Sequence, residues 1–152
     1  MKLAEALNRR ADLQRKVSQI RERLNNNVKV QEGDKPAEQP TDLFEELDKC
    51  LAELGGLVTL INKTNQETLV DGETITSLIA QKDMCKLRHS VLRSALNEAN
   101  DISNRYTRNE IKIVRTVDVG ALQKEVDEVA RNIRLLDTKL QEANWTTNLV
   151  TS

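Results

Sequence analysis

The chain has 152 residues, of which 38% are hydrophobic, 31% charged and only 2% aromatic, and its formal net charge is −1. This apolar fraction is too high for a disordered chain, and the length suits one domain. A nearly neutral chain has no broad positive field, so neither nucleic acid nor an anionic membrane is expected as a partner.

The cysteines and the amino terminus predict a compartment. Cys50 and Cys85 are too few for a disulfide framework and match no zinc-binding spacing. Residues 1–24 carry charges throughout and lack the apolar core of a signal peptide. No segment approaches the roughly 20 apolar residues that span a bilayer. We therefore expect a cytoplasmic protein with reduced cysteines and no membrane span.

The first helix is predicted from Met1 to about Leu24. Its regularly spaced positions, three or four residues apart, are Leu3, Ala6, Arg10, Leu13, Val17, Ile20 and Leu24, with Arg10 as the one polar member. Three asparagines, residues 25–27, are expected to end this helix. Residues 28–31 alternate apolar and polar side chains, which predicts a short strand. Residues 32–40 contain both prolines and are expected to form an exposed connector.

Thr41 is predicted to cap a second helix, which extends to about Ile61. A polar segment, residues 62–72, follows it, with Thr64-Asn65 and Asp71-Gly72 as turn signals. Its main apolar stripe consists of Leu43, Leu47, Cys50, Leu54, Leu57 and Ile61, and it is widened by Phe44, Leu51 and Val58. A wide stripe predicts deep burial. Gly55 and Gly56 lie inside this pattern, although each glycine costs about 1 kcal/mol relative to Ala in a helix interior. A close helix crossing, a kink or a break into two helices would each account for them.

The third helix is predicted from about Glu73 to Arg105, with a broad apolar face that suits two neighbours at once. From Glu110 to Val117 the apolar period changes to two, which is the strongest strand signal in the chain. A strand needs a partner for its backbone groups. We therefore predict an antiparallel ribbon of residues 28–31 with 110–117, which would bring helices one and four together. Pairing of residues 110–117 between two copies of the chain is the alternative.

Asp118 is predicted to cap the fourth helix, which has the most regular apolar pattern of the chain. This pattern consists of Leu122, Val126, Val129, Ile133, Leu136, Leu140 and Ala143. An unbroken heptad of this kind predicts a coiled-coil surface, so we expect these residues to make helix–helix or oligomer contacts. Trp145 follows the last heptad and is expected either to cover the end of a bundle or to anchor a subunit contact.

Candidate reactive residues are few. Cys85 and His89 are four residues apart and can share a helix face, and with Cys50 and a carboxylate they could ligate a metal or act as a nucleophile and base. Two ligands do not make a site, and the acidic clusters of the second and fourth helices lack the Glu-x-x-His element of metal-binding bundles. No glycine-rich phosphate loop is present. We expect no catalytic residue, metal or cofactor.

Three segments are familiar in combination. Residues 27–34 (NVKVQEGD) with Pro36 and Pro40, residues 106–111 (YTRNEI) and residues 136–145 (LDTKLQEANW) together resemble a family of small bacterial proteins of unknown function. Some members of that family are labelled septicolysin. The resemblance implies an intracellular, oligomeric, coiled-coil protein with no assigned catalytic residue. The label implies membrane damage, but no helix here combines a basic face with an aromatic one.

These observations predict one all-α domain over residues 1–152. We expect an elongated helical bundle or antiparallel coiled coil of about four helices, with helices one and four paired and helices two and three forming a second hairpin. The apolar stripes exceed what one chain can bury, so a homo-oligomer is expected. The expected function is that of a non-enzymatic structural or interaction protein. The alternatives are a septicolysin-like membrane-active protein and a metal or thiol protein using Cys50, Cys85 and His89.

Overall fold

A computed structural model describes residues 1–101 and 111–152, and these residues contain four long helices and one short hairpin. The helices are α1 (Leu3–Asn27), α2 (Pro40–Glu67), α3 (Ile75–Asn100) and α4 (Val119–Thr146), and the strands are β1 (Leu69–Val70) and β2 (Glu73–Thr74). The predicted class, an all-α bundle with a small two-stranded antiparallel sheet, is confirmed. The predicted end of the third helix at Arg105 lies outside the described residues.

The helices begin where local groups satisfy the first unpaired backbone donors. At α1 the backbone N–H of Lys2 donates to Glu5 Oε2 at 2.6 Å. At α2 the predicted cap at Thr41 is wrong, because the helix begins at Pro40, which has no N–H to leave unpaired, and Thr41 lies inside it. At α4 the backbone N–H of Ala121 donates to Asp118 Oδ1 at 3.1 Å, which confirms the predicted cap.

The first apolar core lies between α1 and α2. It is centred on the buried side chains of Leu13, Ile20 and Cys50, against which Val17, Leu24, Leu47, Leu54 and Leu57 pack. Arg9 Nη2 lies 2.7 Å from Glu53 Oε1, and Lys16 Nζ lies 3.8 Å from Glu46 Oε1. Early residues of α1 thus meet late residues of α2, and the two helices run antiparallel. The regularly spaced apolar residues predicted for both helices supply this core.

The predicted pairing of helices one and four stays a prediction, and the helix that the structure shows packed along α1 is α2. The physical reason for the α1–α2 pair is the short connector between these two helices. Closing a small loop costs less conformational entropy than closing a large one, and consecutive elements usually become neighbours. Residues 32–40 are mostly exposed, as predicted for a connector. Within this segment, Oε1 of Glu38 lies 2.5 Å from Nη2 of Arg23 on α1.

The small sheet lies at a different place from the predicted ribbon. Val70 pairs with Glu73, so Asp71 and Gly72 form a two-residue loop, and their φ angles are 51° and 83°. An Asp-Gly loop adopts these positive φ angles readily, which favours a tight hairpin. Residues 28–31 and 111–117 form no strand, and Glu110 lies outside the described residues. Ile111 is 90% exposed and Val114 is 69% exposed, so neither set of alternating side chains in this segment is covered.

The two ends of the described chain are hydrogen-bonded to each other. The N–H of Leu3 donates to the carbonyl of Thr147, and the N–H of Leu149 donates to the carbonyl of Met1, both at 2.9 Å. The N–H of Val150 donates to Thr64 Oγ1 at 3.0 Å, near the end of α2. The segment after α4 is thereby held against the start of α1 and the end of α2.

Contacts within the chain group it into two compact units. The first comprises residues 1–75 and 142–152, and the second comprises residues 76–141. The prediction of one domain over residues 1–152 stays a prediction. In the second unit, Lys82 Nζ lies 2.5 Å from Asp137 Oδ1, and Arg88 Nη2 lies 3.1 Å from Glu125 Oε1. Residues of α3 and α4 therefore pair in antiparallel order, whereas the predicted partner of helix three was helix two.

Candidate interaction surface

The helix α3 carries two apolar stripes on different faces. The inner stripe includes Leu78 and Leu96, which are 1% and 3% exposed. The outer stripe consists of Met84, Leu87 and Val91, which are 58%, 60% and 67% exposed. Steps of three and four residues place these three side chains on one helix face. The pattern predicted a broad apolar face, and the structure shows that only one side of it is covered.

A groove lies between α3 and α4 beside the outer stripe. Its volume is about 650 Å³, and its apolar lining is formed by Ala80, Met84, Cys85, Leu135 and Leu136. Leu135, on α4, is 57% exposed and extends the apolar surface across the groove. Ser77, Gln81, Asn132 and Lys139 contribute polar groups to the lining. A long, largely apolar depression between two helices suits an apolar side chain from a third helix.

The ion pairs of this hairpin hold the two helices in register. Lys82 donates a hydrogen bond to Asp137, and this bond, followed by the positive charge of Lys82, holds the pKa of Asp137 below its ordinary value of 3.8. Only 20% of the Lys82 side chain is exposed. The pair of Arg88 with Glu125 is more exposed, at 59% and 57%. Exposed pairs contribute little to stability, so the apolar seam does most to hold α3 and α4 together.

The helix α2 carries an outer stripe of its own. Phe44 and Leu51 are 50% and 46% exposed, and Val58 is half-buried. These residues follow one another at steps of seven, so they repeat once every two turns on one face. Gly55 lies on the same face, between Leu51 and Val58. The helix is continuous through Gly55 and Gly56, so of the three alternatives given for these glycines the break into two helices is absent.

The fourth helix bears the residues predicted for helix–helix or oligomer contact. Its seven regularly spaced apolar residues divide into four that are buried, Val126, Val129, Leu140 and Ala143, and three that are half-buried, Leu122, Ile133 and Leu136. They form the inward face of the helix. Trp145 is 57% exposed. Its predicted role in a subunit contact, like that of the seam, stays a prediction.

Met84, Leu87 and Val91 were not predicted from the sequence as a separate surface. They belong to the broad face that was predicted for helix three, but spacing alone does not separate covered from exposed positions. The sequence signal that could have found them is the small number of polar residues on two adjoining faces of helix three. The position of α4 along one face decides which stripe is left in solvent.

The reactive candidates lie in separate surroundings. Cys50 is 4% exposed in the α1–α2 core, and its thiol lies 3.6 Å from the carbonyl of Leu13. Cys85 and His89 are half-buried on α3 in the second unit. Within the described parts of the chain, no three His, Cys, Asp or Glu side chains lie close enough together to hold a metal ion. Among the helices that the structure describes, none is long and apolar enough to cross a membrane.

One solved structure resembles this chain over nearly all of its length. It is described as a functionally unknown conserved protein from Corynebacterium diphtheriae, with 35% sequence identity and a TM-score of 0.92. The match covers 99% of each chain. The four-helix architecture described above is thus shared with an experimentally determined protein.

No curated protein sequence is similar to this chain. The label septicolysin occurs in none of the matches, so membrane damage stays an implication of the resemblance alone. The resemblance to a family of unknown function is confirmed at that level. Residues 10–149 match the family of unknown function DUF6847, and since they make up more than nine-tenths of the chain, the protein belongs to that family.

Proposed function

We propose that this protein is a non-enzymatic interaction protein that associates with a second copy of itself through the outer stripes of α2 and α3. The observation that carries the proposal is the exposure of Met84, Leu87 and Val91, at 58–67%, in a heptad-like row on one helix. Isolated exposed apolar residues are ordinary, but a row of large ones marks a contact surface. Fully burying such a side chain is worth about 1.5–3 kcal/mol.

The spacing of the row favours a helix as the occupant. Residues that repeat at steps of three and four fit between the side chains of a facing helix. The chain itself supplies a helix with a matching row, since α2 exposes Phe44 and Leu51 at heptad spacing. Each copy therefore carries both surfaces that the proposed contact needs, so two copies of the chain are sufficient to form it.

Charge favours contact between α2 of one copy and α3 of the other. The helix α2 has six acidic and two basic residues, a net charge of −4, whereas α3 has four basic and two acidic residues, a net charge of +2. Contact between two copies of α2 would bring like charges together, as would contact between two copies of α3. Contact between α2 and α3 brings opposite charges together, so charge favours this contact over one between two copies of the same helix.

The test is the molar mass in solution of Leu87→Glu. We expect the unchanged protein to have a mass above that of the 17.2 kDa chain at micromolar concentration, by gel filtration with light scattering. The substitution places a charge in the stripe and is expected to weaken association at least about tenfold, since about 1.4 kcal/mol is one decade. The side chain of Leu87 is 60% exposed, so the helices should remain folded.

The matched control is Ser90→Glu, which adds the same side chain to α3 about a quarter turn from the stripe. Ser90 is exposed, and this variant should associate as the unchanged protein does. A monomer of 17.2 kDa for the unchanged protein would contradict the proposal. Equal association of the Leu87→Glu and Ser90→Glu variants would contradict it as well.

A further inference from the structure

The glycines of α2 have no role in packing within the chain. Gly55 and Gly56 lie in the middle of a continuous helix of 28 residues. A Cβ atom built at either position would meet no other atom within 4 Å. Glycine in a helix interior costs about 1 kcal/mol relative to alanine, so each of these residues weakens the helix without an evident gain inside the chain. We therefore look for the role of at least one of these glycines in a contact with another molecule.

The two glycines differ in their position around the helix. Gly55 follows Leu51 by four residues and precedes Val58 by three, so it lies on the outer stripe. Gly56 is rotated by about 100° from Gly55 and lies on an exposed part of the helix beside the stripe. Only Gly55 therefore lies where a helix seated on Leu51 and Val58 would cross.

We propose that Gly55 is the point at which α3 of a second copy crosses α2, an assignment that rests on the proposed self-association. A residue without a side chain lets two helix backbones approach more closely than the usual 8–10 Å. The exposed side chains of Met84 and Leu87 on the crossing helix can then extend along both sides of the glycine. Methionine suits such a position because its unbranched side chain adapts to irregular gaps.

The first experiment compares Gly55→Leu with Gly56→Leu. Both variants replace glycine by a good helix former in open space, so both should raise the melting temperature of the dissociated chain. Gly55→Leu fills the crossing point and is expected to weaken association at least about tenfold. Gly56→Leu should leave association unchanged, since its side chain lies off the stripe. Association is measured by sedimentation equilibrium over a range of concentrations.

The second experiment places one thiol on each outer stripe. Met84→Cys supplies the thiol of α3, in a chain that also carries Cys85→Ser so that the native thiol of the α3–α4 groove cannot react. Phe44→Cys, Leu51→Cys and Val58→Cys each add one thiol to the outer stripe of α2. Under a copper–phenanthroline oxidant, at least one of them should form an intermolecular disulfide, seen as a dimer on a non-reducing gel. The bond requires Cα atoms about 4.4–6.8 Å apart, so it reports a specific contact.

Two controls make the gel decisive. Omitting Met84→Cys from the variant that cross-links should abolish the dimer. Lys49→Cys, at an exposed position on the opposite side of α2, should give none. If the protein is oligomeric but Gly55→Leu associates normally, or none of the three cysteines of α2 cross-links to the thiol introduced by Met84→Cys, the crossing is wrong and self-association stands. If the protein is monomeric, both proposals are wrong.

Discussion

Thr64 shows how one buried hydroxyl joins two distant parts of the chain. Its side chain is 0% exposed, and Oγ1 donates to the carbonyl of Leu60 at 2.8 Å and accepts the N–H of Val150 at 3.0 Å. Thr64 therefore ties the terminal segment to the end of α2. Thr64 and Asn65 were predicted to lie in a turn, and this prediction is wrong, because α2 continues to Glu67.

Thr64→Val keeps the shape of this residue and removes its oxygen. The N–H of Val150 then loses its acceptor, and we expect the free energy of unfolding to fall by about 1 kcal/mol. This is near the low end for an unpaired donor, because Val150 is half-exposed and water can reach it. Urea denaturation measures this loss. Thr64→Ser retains both hydrogen bonds and should be less harmful. A larger loss for Thr64→Ser than for Thr64→Val would show that packing of the methyl group matters more than the hydrogen bonds.

At the scale of elements, the pair of Lys82 with Asp137 makes the α3–α4 hairpin sensitive to acid. The folded protein holds the pKa of Asp137 below its ordinary value of 3.8. A carboxylate with a lowered pKa stabilises the fold at pH values above its unfolded pKa, and this stabilisation is lost as the pH falls through the folded pKa. The contribution of the pair should therefore be fully present at neutral pH.

Asp137→Asn removes the charge and tests this dependence. We expect its melting temperature to lie below that of the unchanged protein at pH 7, and the difference to shrink as the pH is lowered past 3.8. Melting curves by circular dichroism at several pH values give the comparison. Glu142→Gln is a suitable control, because Glu142 lies on the same helix and is exposed. A difference for Asp137→Asn that is the same at pH 7 and pH 3 would rule out a role for its charge.

At the scale of the whole molecule, self-association would make stability depend on concentration. A partner that binds only the folded chain stabilises it by mass action. We expect the melting temperature of the unchanged protein to rise as its concentration is increased from about 1 to about 100 μM, a range that spans typical weak association constants. The melting temperature of the Leu87→Glu variant should change much less. A concentration-independent melting temperature for the unchanged protein would argue against the proposed assembly.

The sequence by itself determined the helices and the face that each of them buries. Leu13 and Ile20 of α1, Cys50 and Ile61 of α2 and Val126 and Leu140 of α4 were predicted as seam residues, and all are buried. This information is local, because the period of 3.6 residues per turn places apolar residues at steps of three and four on one side. The cap of α4 at Asp118 is local for the same reason.

Only the tertiary structure decided which seams meet. Any heptad stripe can pack against any other, so spacing does not distinguish the observed pairs, α1 with α2 and α3 with α4, from the predicted ones. The sheet shows the same limit: alternation at residues 111–117 predicted a strand, but a strand forms only where a partner can supply its backbone hydrogen bonds. The short Asp71-Gly72 loop brings Leu69–Val70 and Glu73–Thr74 together at little entropic cost. Spacing likewise did not show which face of α3 is exposed. The row of Met84, Leu87 and Val91 lies in solvent because α4 covers the opposite side of α3.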